Sequence, residues 1–83
     1  MEHIDYKLSF LDGKEVSGKA KKIVVRDSRN ILTLLTQCAP VIAVLGSGKI
    51  EIYDDLNAMT DYAYQEGFLN ASNNHCTMTI LKY

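Results

Sequence analysis

Alternation near the N-terminus, two apolar stripes of helical spacing and a run of short alternating segments predict an α+β fold. The expected order is ββαββαβ, a roughly five-stranded antiparallel sheet with two helices on one face. In His3–Leu11 the residues Ile4, Tyr6, Leu8 and Phe10 alternate with Asp5, Lys7 and Ser9, the period of a half-buried strand. Ile31, Leu34, Leu35 and Cys38 fall at i, i+3, i+4 and i+7, and Leu56, Met59, Tyr62 and Ala63 repeat that spacing.

The elements follow in order. Asp12-Gly13-Lys14 reads as a three-residue turn. Residues 15–25 return as a second strand, with Phe10 opposite Val16, Leu8 opposite Gly18, Tyr6 opposite Ala20 and Asp5 opposite Lys21. A bulge is expected near Lys21–Ile23, because strict alternation would leave Lys22 on the core face. Asp27-Ser28 offers a helix N-cap, and Pro40 ends the first helix. Val41–Leu45 is apolar on both faces, the mark of a central strand. Gly46-Ser47-Gly48 turns the chain into Lys49–Tyr53, with Ile50 and Ile52 inward. Asp54 or Asp55 caps the second helix, and Gly67 closes it with Phe68 as the contact that follows. Asn70–Asn74 is a loop, and Cys76, Met78 and Ile80 face inward from a last strand.

The 83 residues suffice for a single domain, 1–83, with a small core. Met1-Glu2-His3 does not begin a signal peptide, and the longest apolar run, Ala39–Leu45, is too short to span a bilayer. A cytoplasmic protein without membrane contact is the expectation. Cys38 and Cys76 allow one disulfide without demanding it.

Chemistry is sparse. Gly46-Ser47-Gly48-Lys49 lacks the earlier glycine and the following Ser or Thr of a phosphate loop, since Ala43 and Ile50 stand there. His75 and Cys76 are adjacent on a strand and point to opposite faces, so they do not share an ion. No catalytic residue, metal site or cofactor is expected, and the chain reads as a non-enzyme.

Net charge is −1, but it is unevenly placed. Six cations stand against two carboxylates in residues 14–29, and residues 50–69 carry five carboxylates and no Lys or Arg. The acidic stretch suggests a docking patch for another protein, made of Tyr53, Asp55, Asp61, Tyr64 and Glu66, with Tyr64 exposed as its aromatic anchor. A protein-binding module follows, an inhibitor or adaptor of the kind phages and mobile elements encode. Two alternatives are nucleic-acid binding through Lys19, Lys21, Lys22, Arg26 and Arg29, and capture of a nucleotide or other small ligand between subunits. A homodimer is also expected. Its contact would be the C-terminal strand 76–83, taken as a sheet edge, with Leu81 and Tyr83 at the interface.

Overall fold

The computed structural model describes residues 3–37 and 39–83, and it is all β. Nine strands form two stacked sheets. They are β1 Ile4–Phe10, β2 Glu15–Ala20, β3 Lys22–Asp27, β4 Ile31–Leu34, β5 Val41–Leu45, β6 Gly48–Tyr53, β7 Met59–Tyr64, β8 Glu66–Ser72 and β9 His75–Lys82. Sheet A has the order β2-β1-β9-β8-β5, and sheet B has the order β4-β3-β6-β7. All neighbours are antiparallel except β1 and β9, which run parallel. The α+β expectation is therefore wrong, and so is the single antiparallel sheet.

The two expected helices are hairpins, and the reason lies in their supposed caps. An Asp side chain that accepts nearby backbone N–H groups serves a helix start and a tight turn equally well. Asp27 Oδ1 accepts from the N–H of Arg29 at 2.8 Å and of Asn30 at 2.7 Å, and Asp27 N–H bonds the Asn30 carbonyl. That closes a turn between β3 and β4. Asp54 Oδ1 accepts from the N–H of Leu56 and Ala58, with Asn57 at φ 61°, and turns β6 into β7. Ile31–Leu34 and Met59–Tyr64 then pair as strands, because β-rich segments with few residues between turns lack the length for a packed helix. Cys38, the last residue of the first expected stripe and one half of the possible disulfide, lies outside the described residues.

The first hairpin has a three-residue loop, placed one residue earlier than expected, at Leu11–Gly13. Phe10 N–H bonds the Lys14 carbonyl at 2.9 Å, and Gly13 sits at φ 95°, a left-handed position that favours glycine. Leu8 therefore faces Val16, Tyr6 faces Gly18, and Ile4 faces Ala20. The two-residue shift keeps each side chain on its face and changes every partner. Gly18 suits this register: a Cβ there would lie 2.9 Å from the Tyr6 hydroxyl oxygen, so a larger residue would oblige the Tyr6 ring to shift.

The expected bulge at Lys21–Ile23 is where the chain leaves sheet A for sheet B. Inward residues are two apart within a strand, but Ala20 and Ile23 are three apart, and so are Tyr64 and Gly67 at the passage through Gln65. Each single-residue corner is held by the strand it passes. Lys21 N–H bonds the Tyr53 carbonyl at 2.8 Å, and Gln65 N–H bonds the Lys82 carbonyl at 2.6 Å. Gly46-Ser47 is a third crossing, between β5 and β6, and not a hairpin turn. The turn from β8 to β9 uses Asn73 and Asn74 at φ 47° and 64°, the pair of left-handed residues that a two-residue hairpin loop requires. Asn70 to Ser72, expected in a loop, belong to β8.

Between the sheets lies one core. Ile4, Leu8, Phe10, Leu69, Met78 and Ile80 of sheet A meet Ile23, Val25, Leu34, Ile50, Ile52 and Tyr64 of sheet B. Gly67 is inside this core under Met78, whose Cε would stand 2.8 Å from a Cβ, so it is a packing glycine and not a helix cap. Gly48 is tighter still, since a Cβ there would meet the Arg26 carbonyl oxygen at 1.8 Å. That neighbour is backbone and cannot swing aside. Gly48→Ala should cost about 2–4 kcal/mol, within the range of severe backbone effects. Gly46→Ala, with no atom within 4 Å of its Cβ, should be neutral or slightly stabilising. Urea unfolding of both variants beside the parent checks this, and a Gly48→Ala protein of parental stability would contradict it.

Candidate functional site

The two outer faces differ in how their polar groups are used. On sheet B, Glu51 projects outward from β6 yet is only 5% exposed. Arg26 Nε donates to its carboxylate at 2.9 Å, Lys49 Nζ stands 3.3 Å away, and the Tyr53 hydroxyl donates at 3.4 Å. Lys49 also reaches Asp61 at 3.6 Å. The Arg26 bond, and then Lys49, hold the Glu51 carboxyl below the usual glutamate range. Its contribution to stability is in place above that range and is lost as pH falls through its own lowered value. Two cations and two carboxylates thus neutralise one another.

Sheet A is graded from one side to the other. At the β2–β1 side its outward groups are ion pairs, Lys19 with Asp5 at 2.8 Å and Lys7 with Glu15 at 3.4 Å. The middle carries Asn70, Thr77 and Thr79. The far side, β5 and the β8 residue beside it, is uncharged: Ile42 is 70% exposed, Val44 is 81% exposed, and Phe68 opposite Val44 is also exposed. The strand Val41–Leu45, expected at the centre of a sheet, is therefore an edge strand. Its all-apolar sequence covers the core with Ala43 and Leu45 and leaves Ile42 and Val44 in solvent. Pro40 was the signal: a proline directly before a strand belongs at an edge or a strand start. An edge normally carries charge or a bulge that discourages pairing, and β5 has neither.

The expected acidic-aromatic patch does not assemble. Tyr64 is 2% exposed, and its hydroxyl donates to the Arg26 carbonyl at 3.1 Å, so it is a core residue and not a surface anchor. Tyr53 and Asp61 share the outer face of sheet B with Glu51. Asp55 lies in the β6–β7 turn, 2.8 Å from His3 Nε2, and Glu66 starts β8 in the other sheet. The helix face that would have gathered them does not exist. The basic stretch is scattered as well. Lys19 pairs with Asp5, Lys21 donates to Asn57, Lys22 lies 4.4 Å from the Tyr53 ring centre, and Arg26 is on Glu51. Arg29 alone of the five makes no side-chain hydrogen bond, ion pair or ring contact among the described residues, although its charge helps to lower the Asp27 carboxyl. The C-terminal strand is no edge, because β9 lies between β1 and β8. Tyr83 is tied by its hydroxyl to Asp12 and packs edge-on against Phe10, and Leu81 is partly exposed beside it. Sheet extension through strand 76–83 is thereby ruled out.

Two clefts open at one end of the sandwich. One, of about 400 Å3, is lined by Ser47, Gly48, Ala63, Tyr64, Gln65 and Tyr83. The other, of about 270 Å3, lies between the Asp27–Arg29 turn and Val44–Gly46. Among the described residues, no three His, Cys, Asp or Glu side chains are grouped to hold a metal ion.

No protein-family model matches the chain, and no curated protein matches it. Solved structures do resemble it in fold. A chain of the Euglena gracilis mitochondrial ATP synthase in rotational state 1 superposes with a TM-score of 0.85 over 96% of this chain, at 14% identity. A chain from the central stalk and c-ring structure of the Tetrahymena thermophila mitochondrial ATP synthase gives a TM-score of 0.75 over 98%, at 15% identity. This chain spans 51% and 65% of the length of those two. At such identity the likeness is one of fold: a small β-sandwich shared with larger chains.

Burial, before any other cause, pushes the Tyr64 hydroxyl up to about 12, with Asp27 adding to the shift. A raised value means that its stabilising effect is full below the ordinary tyrosine pKa near 10 and is lost as pH rises through about 12. Tyr64→Phe should cost about 1 kcal/mol at neutral pH, by removing a donor from the Arg26 carbonyl. Above pH 10 the gap to the parent should narrow. Thermal melts from pH 7 to 11 measure both, and a gap that widens with pH would show the sign to be wrong.

Proposed function

We propose that the chain is a non-enzymatic protein-binding module, a small subunit or adaptor that docks into a larger assembly through the uncharged edge of sheet A. The observation that carries this is Ile42 and Val44 standing exposed on an unprotected edge strand, with Phe68 exposed beside them on β8, in a protein whose outward charges are largely paired with one another. Apolar groups grouped at a rim in this way are a usual mark of a contact surface. The fold neighbours support the reading. Both are chains of ATP synthases, and one comes from a structure of a central stalk and c-ring. A structural role within a stalk of that kind is the form of the proposal we favour.

A second copy of the chain is the other occupant that β5 admits. Antiparallel pairing about Ala43 would set Ile42 of each copy against Val44 of the other, with no charge to oppose it. Nucleic acid loses ground, because four of the five cations it would need already have partners.

Ile42→Lys with Val44→Lys tests the docking edge. Both sites are exposed, so the fold should stay within about 0.5 kcal/mol of the parent. Complexes cross-linked and retrieved from the source cells should be lost in the double variant while the melting curve is kept. Retention of the same complexes would place the contact elsewhere. Light scattering on the purified parent reads the second-copy alternative directly: a mass near 9.3 kDa removes it, and a doubled mass that the two lysines halve establishes it.

A further inference from the structure

We infer that the partner segment seated on β5 is acidic as well as apolar, and that one of its carboxylates meets Arg29 across the cleft beside Val44. This rests on the docking reading and specifies its chemistry. The cleft of about 270 Å3 has two kinds of wall. Val44, Leu45 and Gly46 give an apolar strand end, and Asp27, Ser28 and Arg29 give the β3–β4 turn. A chain lying along β5 with its apolar groups on Ile42 and Val44 runs directly into that turn.

The charges at the turn are unequal in availability. The Asp27 carboxylate is held by the backbone N–H groups of Arg29, Asn30 and Gly46, with the nearby Arg29 charge as a weaker influence on it. Arg29 is exposed, and its guanidinium has no carboxylate within ion-pair distance among the described residues. The other arginine, Arg26, is held by Glu51. Arginine presents a planar fork of donors that a carboxylate satisfies in pairs. Beside a dry apolar surface, such a pair is worth more than in open water. A basic or neutral segment would leave the Arg29 fork unmet at the rim of the contact.

Peptides of random sequence displayed on phage and selected on the purified protein provide the probe. Nuclear magnetic resonance then identifies those that shift the β5 amides. Those peptides are expected to pair two apolar residues with Asp or Glu. They should bind Arg29→Glu at least tenfold more weakly, and reselection on that variant should return Lys or Arg at the acidic position. Peptides that shift β5 without any acidic preference, and bind Arg29→Glu as well as the parent, would overturn the charge assignment and leave the docking edge standing. Selection that yields nothing at β5, or peptides indifferent to Ile42→Lys with Val44→Lys, would overturn the docking edge and the charge assignment with it.

Discussion

Everything in this molecule depends on two apolar sheet faces being pressed together. Neither sheet has a second layer of its own, and no helix among the described residues covers either one. Leu8, Leu69, Met78 and Ile80 are dry only because Ile23, Val25, Ile50 and Ile52 lie across from them. The chain secures this by passing between the sheets four times, so that each sheet is assembled from segments separated by the other. Where a corner is one residue long, a backbone bond to a passing strand fixes it. Where backbones come closest, at Gly48 beside Arg26, no side chain fits.

Because the inner faces are committed to each other, function falls to the outer faces and the edges. The middle of the outer face of sheet B closes on itself electrostatically around Glu51, while Ile31 on its β4 edge stays exposed. The outer face of sheet A does the same on its β1–β2 side and not on its β5 side. The asymmetry follows from composition along the fold. β2 carries Glu15 and Lys19 and is a protected edge, whereas β5 has only Val, Ile, Ala and Leu. Burial of the core requires just one side of β5, so the apolar character of its other side is not explained by folding.

Period-two patterns were legible in the sequence where strands lie in one sheet from end to end. β1, β6 and β9 have the inward residues their alternation announces. The hairpins mimic helix starts in the sequence because Asp27 and Asp54 make the same side-chain-to-backbone bonds in a hairpin turn as in a cap, and the local sequence does not say which. Ile31, Leu34 and Leu35 happen to fit a helical period, yet Leu34 faces the core and Ile31 faces solvent, as alternation across a strand end allows. The sheet crossings left a usable trace, the three-residue gaps from Ala20 to Ile23 and from Tyr64 to Gly67, which looks like a bulge until a second sheet is considered. Tyr64 reads as a surface residue only if Leu56–Ala63 is a helix; as part of β7 it points into the core. The open edge was written in Pro40-Val41-Ile42-Ala43-Val44-Leu45, but sidedness in a sheet order is a long-range property that no local pattern specifies.

The parallel pairing of β1 with β9 has a mechanical consequence. Its register runs from Asp5 beside His75 to Phe10 beside Ile80, and the ladder bonds between parallel strands are evenly spaced. A pull that enters at the start of β1 and leaves at the end of β9 acts along both strands in opposite senses. It loads the rungs together, in shear, instead of opening them one after another from an end. A sandwich laced in this way resists stretching along that line far better than across it.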